Sequence, residues 1–444
     1  MLKGKSVAAT TLGCKVNQAE TDSMLDMLSA AGADIVDFEE KADIYIVNTC
    51  SVTNIADKKS RQMLHRAKKR NPESIVIAAG CYVQSAKELL EQDESVDIVI
   101  SNNKKKDITD IVNDYINVRK NEGGDAPADG EKKEYFVDIS KETEYEEMGG
   151  HVPVGHTRAY VKIQDGCNQF CSYCIIPYAR GRVRSRNPKT VIEEIEKIAK
   201  TGIKEVVITG IHIASYGKDF KEDYKLINLL EDINKIDGIE RIRLGSIEPL
   251  LITEEFVERL KKLDKICHHF HLSLQSGCNE TLKRMNRRYT TEQFITIVNR
   301  LRKAYSDVIL TTDIIVGFPE ESEEEFNKTY EFLEQIKFYK MHVFKYSPRK
   351  GTIAAKNKNQ IDGNVKEERS KKLIELSDKN EKEYNESYIG KKVEVLFEEE
   401  KQGIYQGHTK NYILVKCKST KNIENKILTV TCQKVENSYI LGTL

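Results

Sequence analysis

Residues 158–174, RAYVKIQDGCNQFCSYC, decide the fold of the central part of this chain. The first seven residues follow the two-residue period of a β-strand, and a loop with three cysteines comes directly after them. Five more strand-like runs follow, separated by helical stretches: EVVITG (205–210), RIRLGS (241–246), HFHLSLQ (269–275), VILTTDIIV (308–316) and MHVFKYS (341–347). Six strands that each precede a helix predict a parallel barrel of six β/α units, incomplete against the eight-unit form.

The N-terminal part of the chain alternates strand-like and helical patterns in the same way. Its strand-like runs are SVAATTL (6–12), DIYIVNT (43–49), SIVIAAG (74–80) and DIVI (97–100), with helical patterns near residues 19–31, 53–70 and 85–92. This alternation predicts an open parallel α/β sheet with helices on both faces. We assign residues 1–112 to this domain.

The rest of the chain divides into a linker, the barrel, a helix and a small C-terminal domain. Residues 113–155 are polar and charged, with GGDAPADGEKKE in the middle, and predict a linker before the barrel at 156–362. A charged helical stretch at 363–384 leads to residues 385–444. There KKVEVLFEEE, NYILVKC, KILTVTC and SYILGTL predict short antiparallel strands that form a small β-barrel.

The composition is typical of a globular protein, with 39% hydrophobic and 32% charged residues. No apolar run reaches the roughly 20 residues of a membrane span, and no signal-peptide pattern is visible, so we expect a cytoplasmic protein without membrane contact. The ten cysteines do not follow a disulfide framework, which in a reducing compartment indicates metal or redox chemistry. Because the formal net charge is zero, a nucleic-acid partner would bind local basic patches.

Three cysteines on the loop after the first barrel strand form the pattern C-x3-C-x2-C. Their thiolates, from Cys167, Cys171 and Cys174, can converge on one 4Fe–4S cluster and leave one of its four irons open for catalysis. The loop also lies where barrel enzymes have their active sites. The alternative is a structural zinc site, which needs a fourth ligand. His151 and His156 lie upstream, although not at the usual finger spacing.

Three further cysteines each follow a predicted strand of the N-terminal domain. Cys14 follows SVAATTLG, Cys50 follows DIYIVNT and Cys81 follows SIVIAAG. The carboxyl ends of parallel strands line one crevice, so these three thiols could meet at a second metal site. The alternative is that each cysteine is a small buried residue near a strand end.

These motifs resemble the radical S-adenosylmethionine (SAM) superfamily, and within it the radical methylthiotransferases. Tyr173 directly before the last cysteine of the triplet fits the superfamily pattern, while TLGCKVNQAETD, VNTCSV and AAGCYVQ resemble the N-terminal domain that binds a second 4Fe–4S cluster. The resemblance continues through CSYCIIPYARGRVRSR, HLSLQSGCNETLKRMNRRYT and DIIVGFPEESEEEF. The terminal barrel resembles a TRAM domain, an RNA-binding module. The resemblance implies two 4Fe–4S clusters and SAM as both radical source and methyl donor.

The resemblance also implies cofactor-binding residues at the strand ends of the barrel. Near SAM or the substrate we expect Tyr173, Thr209, Gly210, Glu248, Gln275 and Asp313. The alternative for each residue is a polar side chain that satisfies loop backbone.

Basic residues near the cysteine loop are candidates for RNA binding, because arginine suits phosphates and stacked bases. The candidates are Arg180, Arg182, Arg184, Arg186, Arg284, Arg287 and Arg288. A third basic run, Lys58–Arg70, has the alternative of a solvated helix face.

GCKVNQAE and ARGRVRSR match the branch of the family that acts on N6-threonylcarbamoyladenosine in tRNA. The function implied is insertion of a methylthio group at C2 of that base, beside the anticodon, with an electron donor and a sulfur source as further partners. Sister branches modify N6-isopentenyladenosine in tRNA or an aspartate of a ribosomal protein, and both remain open. An RNA-binding protein with structural zinc and no catalysis is the alternative of another class.

Overall fold

The structure is a computed structural model that describes residues 2–121, 133–149 and 157–444. It contains the three predicted parts in order: an open parallel sheet, a partial barrel and a small closed barrel. Among the described residues, no helix combines the length and apolarity needed to cross a lipid bilayer.

The N-terminal domain is a six-stranded parallel sheet in the order β2-β1-β3-β4-β5-β6. Its strands are β1 (Ser6–Thr11), β2 (Asp34–Val36), β3 (Ile44–Thr49), β4 (Ile75–Gly80), β5 (Ile98–Ile100) and β6 (Lys133–Tyr135). Its helices are α1 (Lys15–Ala30), α2 (Asn54–Arg70), α3 (Cys81–Ser85), α4 (Lys87–Glu91) and α5 (Ile108–Asn121). The central strands β3 and β4 are buried at every position, as expected for strands covered by helices on both faces.

The sheet extends into the stretch predicted to be a linker. Helix α5 crosses the predicted boundary at residue 112, and β6 pairs in parallel with β5. The helix forms because Ile108, Ile111 and Tyr115 recur at helical spacing and pack into the core under the sheet. The charged character of residues 113–155 therefore hid one helix end and one edge strand. GGDAPADGEKKE itself lies mostly outside the described residues.

The partial barrel consists of six parallel strands in sequence order. The strands are β7 (Arg158–Asp165), β9 (Glu205–Gly210), β10 (Arg241–Leu244), β11 (His269–Gln275), β12 (Ile309–Val316) and β13 (Lys340–Lys345), with β8 (Arg184–Ser185) antiparallel to β7. Its helices are α6 (Ile176–Arg180), α7 (Pro188–Lys200), α8 (Leu226–Asn234), α9 (Glu254–Leu260), α10 (Asn279–Arg284), α11 (Thr291–Ala304) and α12 (Glu323–Ile336). Parallel bridges at Ile242–Ile266 and Ile247–Leu272 join the two halves of the arc. The predicted six-unit barrel is confirmed.

The inner face of this arc is polar. Along β7, Val161 and Ile163 pack outward into the main core, and the alternate residues Tyr160 and Lys162 face inward. The same alternation places polar side chains of the other five strands on the inner face. They are Glu205 and Thr209 of β9, Arg243 of β10, His269 and His271 of β11, Thr311 and Asp313 of β12, and His342 of β13. We call the space that these strands enclose the lumen.

A long helix and a closed barrel complete the chain. Helix α13 (Gly363–Glu386) packs on β13 and leads to the strands β14 (Lys392–Lys401), β15 (Ile404–Thr409), β16 (Leu414–Lys418), β17 (Ile427–Glu436) and β18 (Tyr439–Thr443). The barrel closes in the order β14-β15-β16-β18-β17, antiparallel except where β16 pairs with β18. Four of these strands were predicted. The fifth, β15, has the polar sequence IYQGHT and gave little strand signal.

The small barrel packs against the amino ends of the partial-barrel strands. Tyr412, at φ +78°, places its ring between the rings of His269 and His408, at centroid distances of 4.7 and 4.5 Å. The guanidinium of Arg243 lies 4.6 Å from the same ring. One aromatic side chain of the small barrel thus closes the lumen at the end opposite the cysteine loop.

Candidate active site

The three cysteines of the C-x3-C-x2-C loop lie together at the carboxyl end of β7. Backbone bonds hold the loop, from the Cys167 N–H to the Gly181 carbonyl and from the Cys174 N–H to the Cys171 carbonyl, both at 3.0 Å. Burial and, to a smaller extent, the neighbouring Cys171 raise the pKa of Cys167 to about 11 and that of Cys174 to about 12. Three thiols close together on one loop fit a soft metal centre, because thiolate is the ligand that such metals prefer.

Charged side chains fix this loop against the barrel. Arg287 places Nη1 3.4 Å from the Cys171 sulfur, and its Nη2 donates to Glu248 Oε2 at 2.7 Å. The Tyr173 ring meets the Phe318 ring edge-on with 6.2 Å between centroids. Arg287 therefore connects the cysteine loop to the strand-end carboxylate that the sequence singled out.

The other predicted cofactor residues also lie near the carboxyl ends of barrel strands. Thr209 and Gly210 end β9, and a Cβ on Gly210 would lie 3.0 Å from the Gln164 carbonyl, so a larger residue would crowd that strand. Gln275 ends β11 at φ +71°. Asp313 Oδ2 lies 3.1 Å from His271 Nε2 across the lumen wall. The placement agrees with a SAM site, and the individual roles remain predictions.

Cys14, Cys50 and Cys81 converge at the carboxyl edge of the N-terminal sheet. A Cβ on Gly13 would lie 2.7 Å from the Cys50 sulfur, so the backbone beside Cys14 approaches that thiol closely. Burial and, to a smaller extent, the neighbouring Cys81 and Cys14 raise the pKa of Cys50 to about 11. These contacts bring together three thiols from distant parts of the sequence, and the set fits a second iron–sulfur cluster.

Arg180 joins the two thiol sites. It follows Cys174 by one short helix, is fully buried and crosses into the N-terminal domain. Its Nε lies 3.2 Å from the Cys81 sulfur, and its Nη2 donates to Asn17 Oδ1 at 2.6 Å. A single guanidinium thus ties the loop of one triplet to a thiol of the other.

A buried ionic network surrounds this arginine. Arg180 Nη1 donates to Glu20 at 2.6 Å and to Asp165 at 3.0 Å, and Lys162 donates to the same two carboxylates. Lys105 pairs with Glu20 as well. Burial alone would raise the pKa of Glu20, but Arg180 and the two lysines hold it well below its usual range. The network keeps both carboxylates charged at the domain interface.

The prediction that Arg180, Arg184 and Arg186 bind RNA is wrong. All three side chains are buried and bonded within the protein. Arg184 Nη1 donates to the carbonyls of Arg180 and Arg182 at 3.0 Å, and Arg186 pairs with Glu147 and Glu194. Because these three side chains are buried, their guanidinium groups are not available to a phosphate at the protein surface.

The three arginines after β11, Arg284, Arg287 and Arg288, also differ in exposure. Arg287 belongs to the cysteine loop, as described above, and Arg284 is half-buried and paired with Glu325 at 2.5 Å. Neither therefore supports its predicted role in RNA binding. Arg182 and Arg288 are exposed and keep that prediction.

Sequence reasoning missed Lys15, His271 and His342 as residues of the site, although it predicted Asp313. Lys15 reaches into the lumen with its ammonium 5.7 Å from the centroid of the Tyr160 ring. His271, Asp313 and His342 offer atoms that lie within 4.8 Å of one another on three adjacent strands. The alternation of β11, β12 and β13 could have indicated this wall, because it places all three residues on the inner face.

Comparison with known proteins agrees with this arrangement. Residues 161–333 match the model of the radical SAM superfamily, and residues 6–101 match that of the uncharacterized protein family UPF0004. The threonylcarbamoyladenosine tRNA methylthiotransferase MtaB of Bacillus subtilis (strain 168) is 42% identical over 443 residues, covering 98% of this chain and 96% of the relative. The protein of the same name from Aquifex aeolicus (strain VF5) is 39% identical, covering 94% and 98%.

The chain belongs to the radical SAM methylthiotransferase family. This membership implies a 4Fe–4S cluster and SAM as cofactors. The methylthiotransferase is also 36% identical, over 89% of its own length and 83% of the relative, to the tRNA-2-methylthio-N(6)-dimethylallyladenosine synthase of Thermoanaerobacter sp. (strain X514).

Solved structures share the fold of the methylthiotransferase. The radical SAM methyltransferase TsrM from Kitasatospora setae superimposes with a TM-score of 0.57 at 14% identity, over 78% of this chain and 77% of that one. The cobalamin-dependent radical enzyme OxsB superimposes with a TM-score of 0.51 at 15% identity, over 87% of this chain and 56% of that one. The predicted fold class is confirmed.

Proposed function

We propose that this methylthiotransferase inserts a methylthio group at C2 of N6-threonylcarbamoyladenosine beside the anticodon of a tRNA. Relatives that carry this substrate in their names match it over nearly the whole chain. The structural observation that supports the proposal is the bond network of Arg180, which links the C-x3-C-x2-C loop to the Cys81 thiol. A transferase that makes a radical and delivers sulfur needs both centres next to one substrate.

The two thiol sets would hold two 4Fe–4S clusters. Cys167, Cys171 and Cys174 would hold one cluster, which would supply the reductive chemistry that makes a radical from SAM. Cys14, Cys50 and Cys81 would hold the other, which would supply the sulfur chemistry of the transfer. The C2–H bond of adenine has no acidic proton, so general acid–base catalysis could not activate it.

The chain itself supplies position and enclosure. Arg287 and Glu248 orient the cysteine loop, and Arg180 fixes the N-terminal domain against the partial barrel. Arg349 of the barrel fastens the segment after Cys50, donating to Ser51 Oγ at 2.8 Å and Asp57 Oδ2 at 2.6 Å. These bonds keep the two thiol sites at a fixed separation, which the transfer of a small group requires.

The RNA would approach along the exposed basic residues and the small barrel. Arg182, whose guanidinium lies 4.7 Å from the Phe170 ring, and Arg288 flank the cysteine loop on its exposed side. A base from a single-stranded loop can unstack and enter an enclosed site of this kind. A tRNA substrate implies a cytoplasmic enzyme. The reductive cleavage of SAM implies a separate electron donor.

The first test is nucleoside mass spectrometry on tRNA from a strain that lacks the gene. We expect the 2-methylthio derivative of N6-threonylcarbamoyladenosine to disappear and to return on complementation. Disappearance of the methylthio derivative of N6-isopentenyladenosine instead would assign the chain to the branch of its dimethylallyladenosine relatives. Loss of neither nucleoside would contradict a tRNA substrate.

The second test counts iron after anaerobic reconstitution. We expect about eight irons per chain in the wild type and about four in Cys14→Ala/Cys50→Ala/Cys81→Ala. The matched control is Cys417→Ala/Cys432→Ala, which removes two buried thiols of the small barrel and should leave the iron content unchanged. Four irons in both wild type and triple variant would contradict the second cluster, and stoichiometric zinc without iron would support a non-catalytic zinc protein.

A further inference from the structure

Lys15 is a cation of the lumen for which the described part of the chain supplies no direct ion-pair partner. The Lys15 side chain is accessible to solvent, yet it lies inside the lumen above the Tyr160 ring. Within residues 2–121, 133–149 and 157–444, no side chain or carbonyl forms a hydrogen bond or ion pair with its ammonium. An ammonium without an ion-pair partner that faces the lumen is available to an anionic ligand.

Two other cations of the lumen, Arg243 and Arg158, are already paired with carboxylates. Arg243 donates to both oxygens of Glu205, at 2.7 and 3.0 Å. Arg158 pairs with Glu205 at 2.8 Å and with Glu398 at 2.6 Å. Among these described cations of the lumen, Lys15 is therefore free to bind a ligand, whereas Arg243 and Arg158 are not.

Burial lowers the pKa of the His342 imidazole, and the charge of Lys15 lowers it as well, so the two side chains lie near each other in the lumen. His342 on β13 is exposed to the lumen and lies beside Asp313 in the strand register. Asp313 is bonded to His271 at 3.1 Å, and His271 is fixed in turn by Thr311 Oγ1 at 3.0 Å from its Nδ1. This wall thus offers an imidazole N–H donor next to a carboxylate acceptor.

The position of Lys15 matches the chemistry of the proposed substrate. Lys15 directly follows Cys14, so its ammonium lies within one side-chain length of the second thiol site. In adenine, only N1 separates C2 from C6, which carries the N6 substituent. A base whose C2 faces sulfur beside Cys14 must therefore place that substituent close by. The threonylcarbamoyl group ends in a free carboxylate, with a hydroxyl and two N–H groups.

We propose that Lys15 and His342 form a carboxylate-binding subsite that recognises the threonyl group of the substrate base. This inference rests on the function proposed above. The carboxylate accepts hydrogen bonds from the Lys15 ammonium and the His342 imidazole, while Asp313 accepts from the hydroxyl or an N–H of the same group. An apolar N6 substituent would leave Lys15 without a partner, so the subsite also disfavours prenylated adenosine.

The test compares two synthetic anticodon stem–loop RNAs that differ only in this group. One carries N6-threonylcarbamoyladenosine and the other carries its methyl ester, which lacks the charge. We measure dissociation constants by anaerobic fluorescence anisotropy with the reconstituted enzyme. In the wild type we expect about 10- to 100-fold tighter binding of the free carboxylate, as for a charge-assisted hydrogen bond.

Lys15→Met should reduce this ratio to nearly one without weakening binding of the ester RNA, and His342→Gln should reduce it in part. Lys15→Arg should retain much of the preference. The matched control is Lys3→Met, an exposed lysine of the same domain, which should keep the wild-type ratio. Iron content and absorbance near 400 nm report that both thiol sites remain intact in each variant.

Three results would overturn the subsite. In the first, Lys15→Met keeps the full preference for the free carboxylate. In the second, it weakens binding of both RNAs equally, which indicates that Lys15 contacts a phosphate. In the third, it loses affinity for SAM, which indicates that Lys15 binds the carboxylate of SAM. Failure of the proposed function is visible separately. In that case the wild-type enzyme itself shows no preference for the free carboxylate and forms no methylthio product on that RNA.

Discussion

Four arginines occupy the segment Arg180–Arg186, and their side chains end in two different environments. Arg180, Arg184 and Arg186 are buried and bonded to carboxylates or carbonyls, whereas Arg182 is exposed beside Phe170. A run of basic residues in a sequence does not reveal which arginines are buried and which are exposed, because their partners lie far away in the chain. Glu20, for example, is 160 positions from Arg180. At the scale of single residues, positive charge near an active site serves as internal connection as often as ligand binding.

The contrast between Arg180 and Arg182 can be measured. Arg180→Met leaves Glu20 and Asp165 buried with fewer partners, so we expect it to lower the free energy of unfolding by about 3–5 kcal/mol. Arg182→Met should change it by less than about 0.5 kcal/mol, and should reduce the salt dependence of tRNA binding by about one ion. Urea unfolding and anisotropy titrations at several salt concentrations test both. Equal destabilisation by the two variants would refute the distinction.

Elements rather than side chains were the part of the structure that the sequence predicted well. The strands before Cys50 and Cys81 are buried at every position and the strand before Cys14 is partly buried, and all three were located as short runs of β-forming residues. Because parallel strands end at one edge, the sequence indicated that the three thiols could meet, and the family resemblance then favoured a shared site. Helix α5 and strand β6 were missed because they lie in or next to a charged stretch, and β15 was missed because its sequence is polar. The role of Arg180 depends on packing between domains, which no local pattern encodes.

The turn between β1 and α1 offers a test at this scale. Gly13 has φ +101°, and a Cβ there would lie 2.7 Å from the Cys50 sulfur. We expect Gly13→Ala to displace Cys14 from Cys50 and to lower the iron content from about eight to about four per chain. Gly4→Ala is the matched control, because Gly4 also has positive φ, at +77°, but nothing lies within 4 Å of the added Cβ. Full iron content in Gly13→Ala would contradict this geometry.

At the scale of the whole molecule, charged residues on the inner face of the barrel connect all three parts. Arg158 reaches from β7 to Glu205 and to Glu398 of the small barrel, while Tyr412 closes the same end of the lumen. Lys162 and Arg180 make the equivalent connection to Glu20 of the N-terminal domain. Buried ion pairs therefore connect the N-terminal sheet, the partial barrel and the small barrel to one another.

Glu205 gives this connection a pH dependence with a definite sign. Burial alone would raise the pKa of Glu205, but Arg243 and Arg158 hold it far below the value of about 4.3 expected in the unfolded chain. A carboxylate with a depressed pKa stabilises the folded state fully above the unfolded value, and this contribution is lost as the pH falls below it. Glutamine cannot titrate. The stability difference between wild type and Glu205→Gln should therefore be largest near neutral pH, at about 3–5 kcal/mol, and shrink below pH of about 4.5.

Urea unfolding of protein freed of iron measures this difference at neutral and acidic pH without interference from cluster loss. Glu240→Gln is the matched control, since Glu240 pairs with Lys204 on the surface and the pair is 47% and 32% exposed. Such a pair contributes at most about 1 kcal/mol, so this variant should stay close to the wild type at every pH. If the Glu205→Gln difference stayed constant down to acidic pH, the carboxylate would not be held charged by the two arginines. The connection between the barrel and the small domain would then depend on the Tyr412 contacts instead.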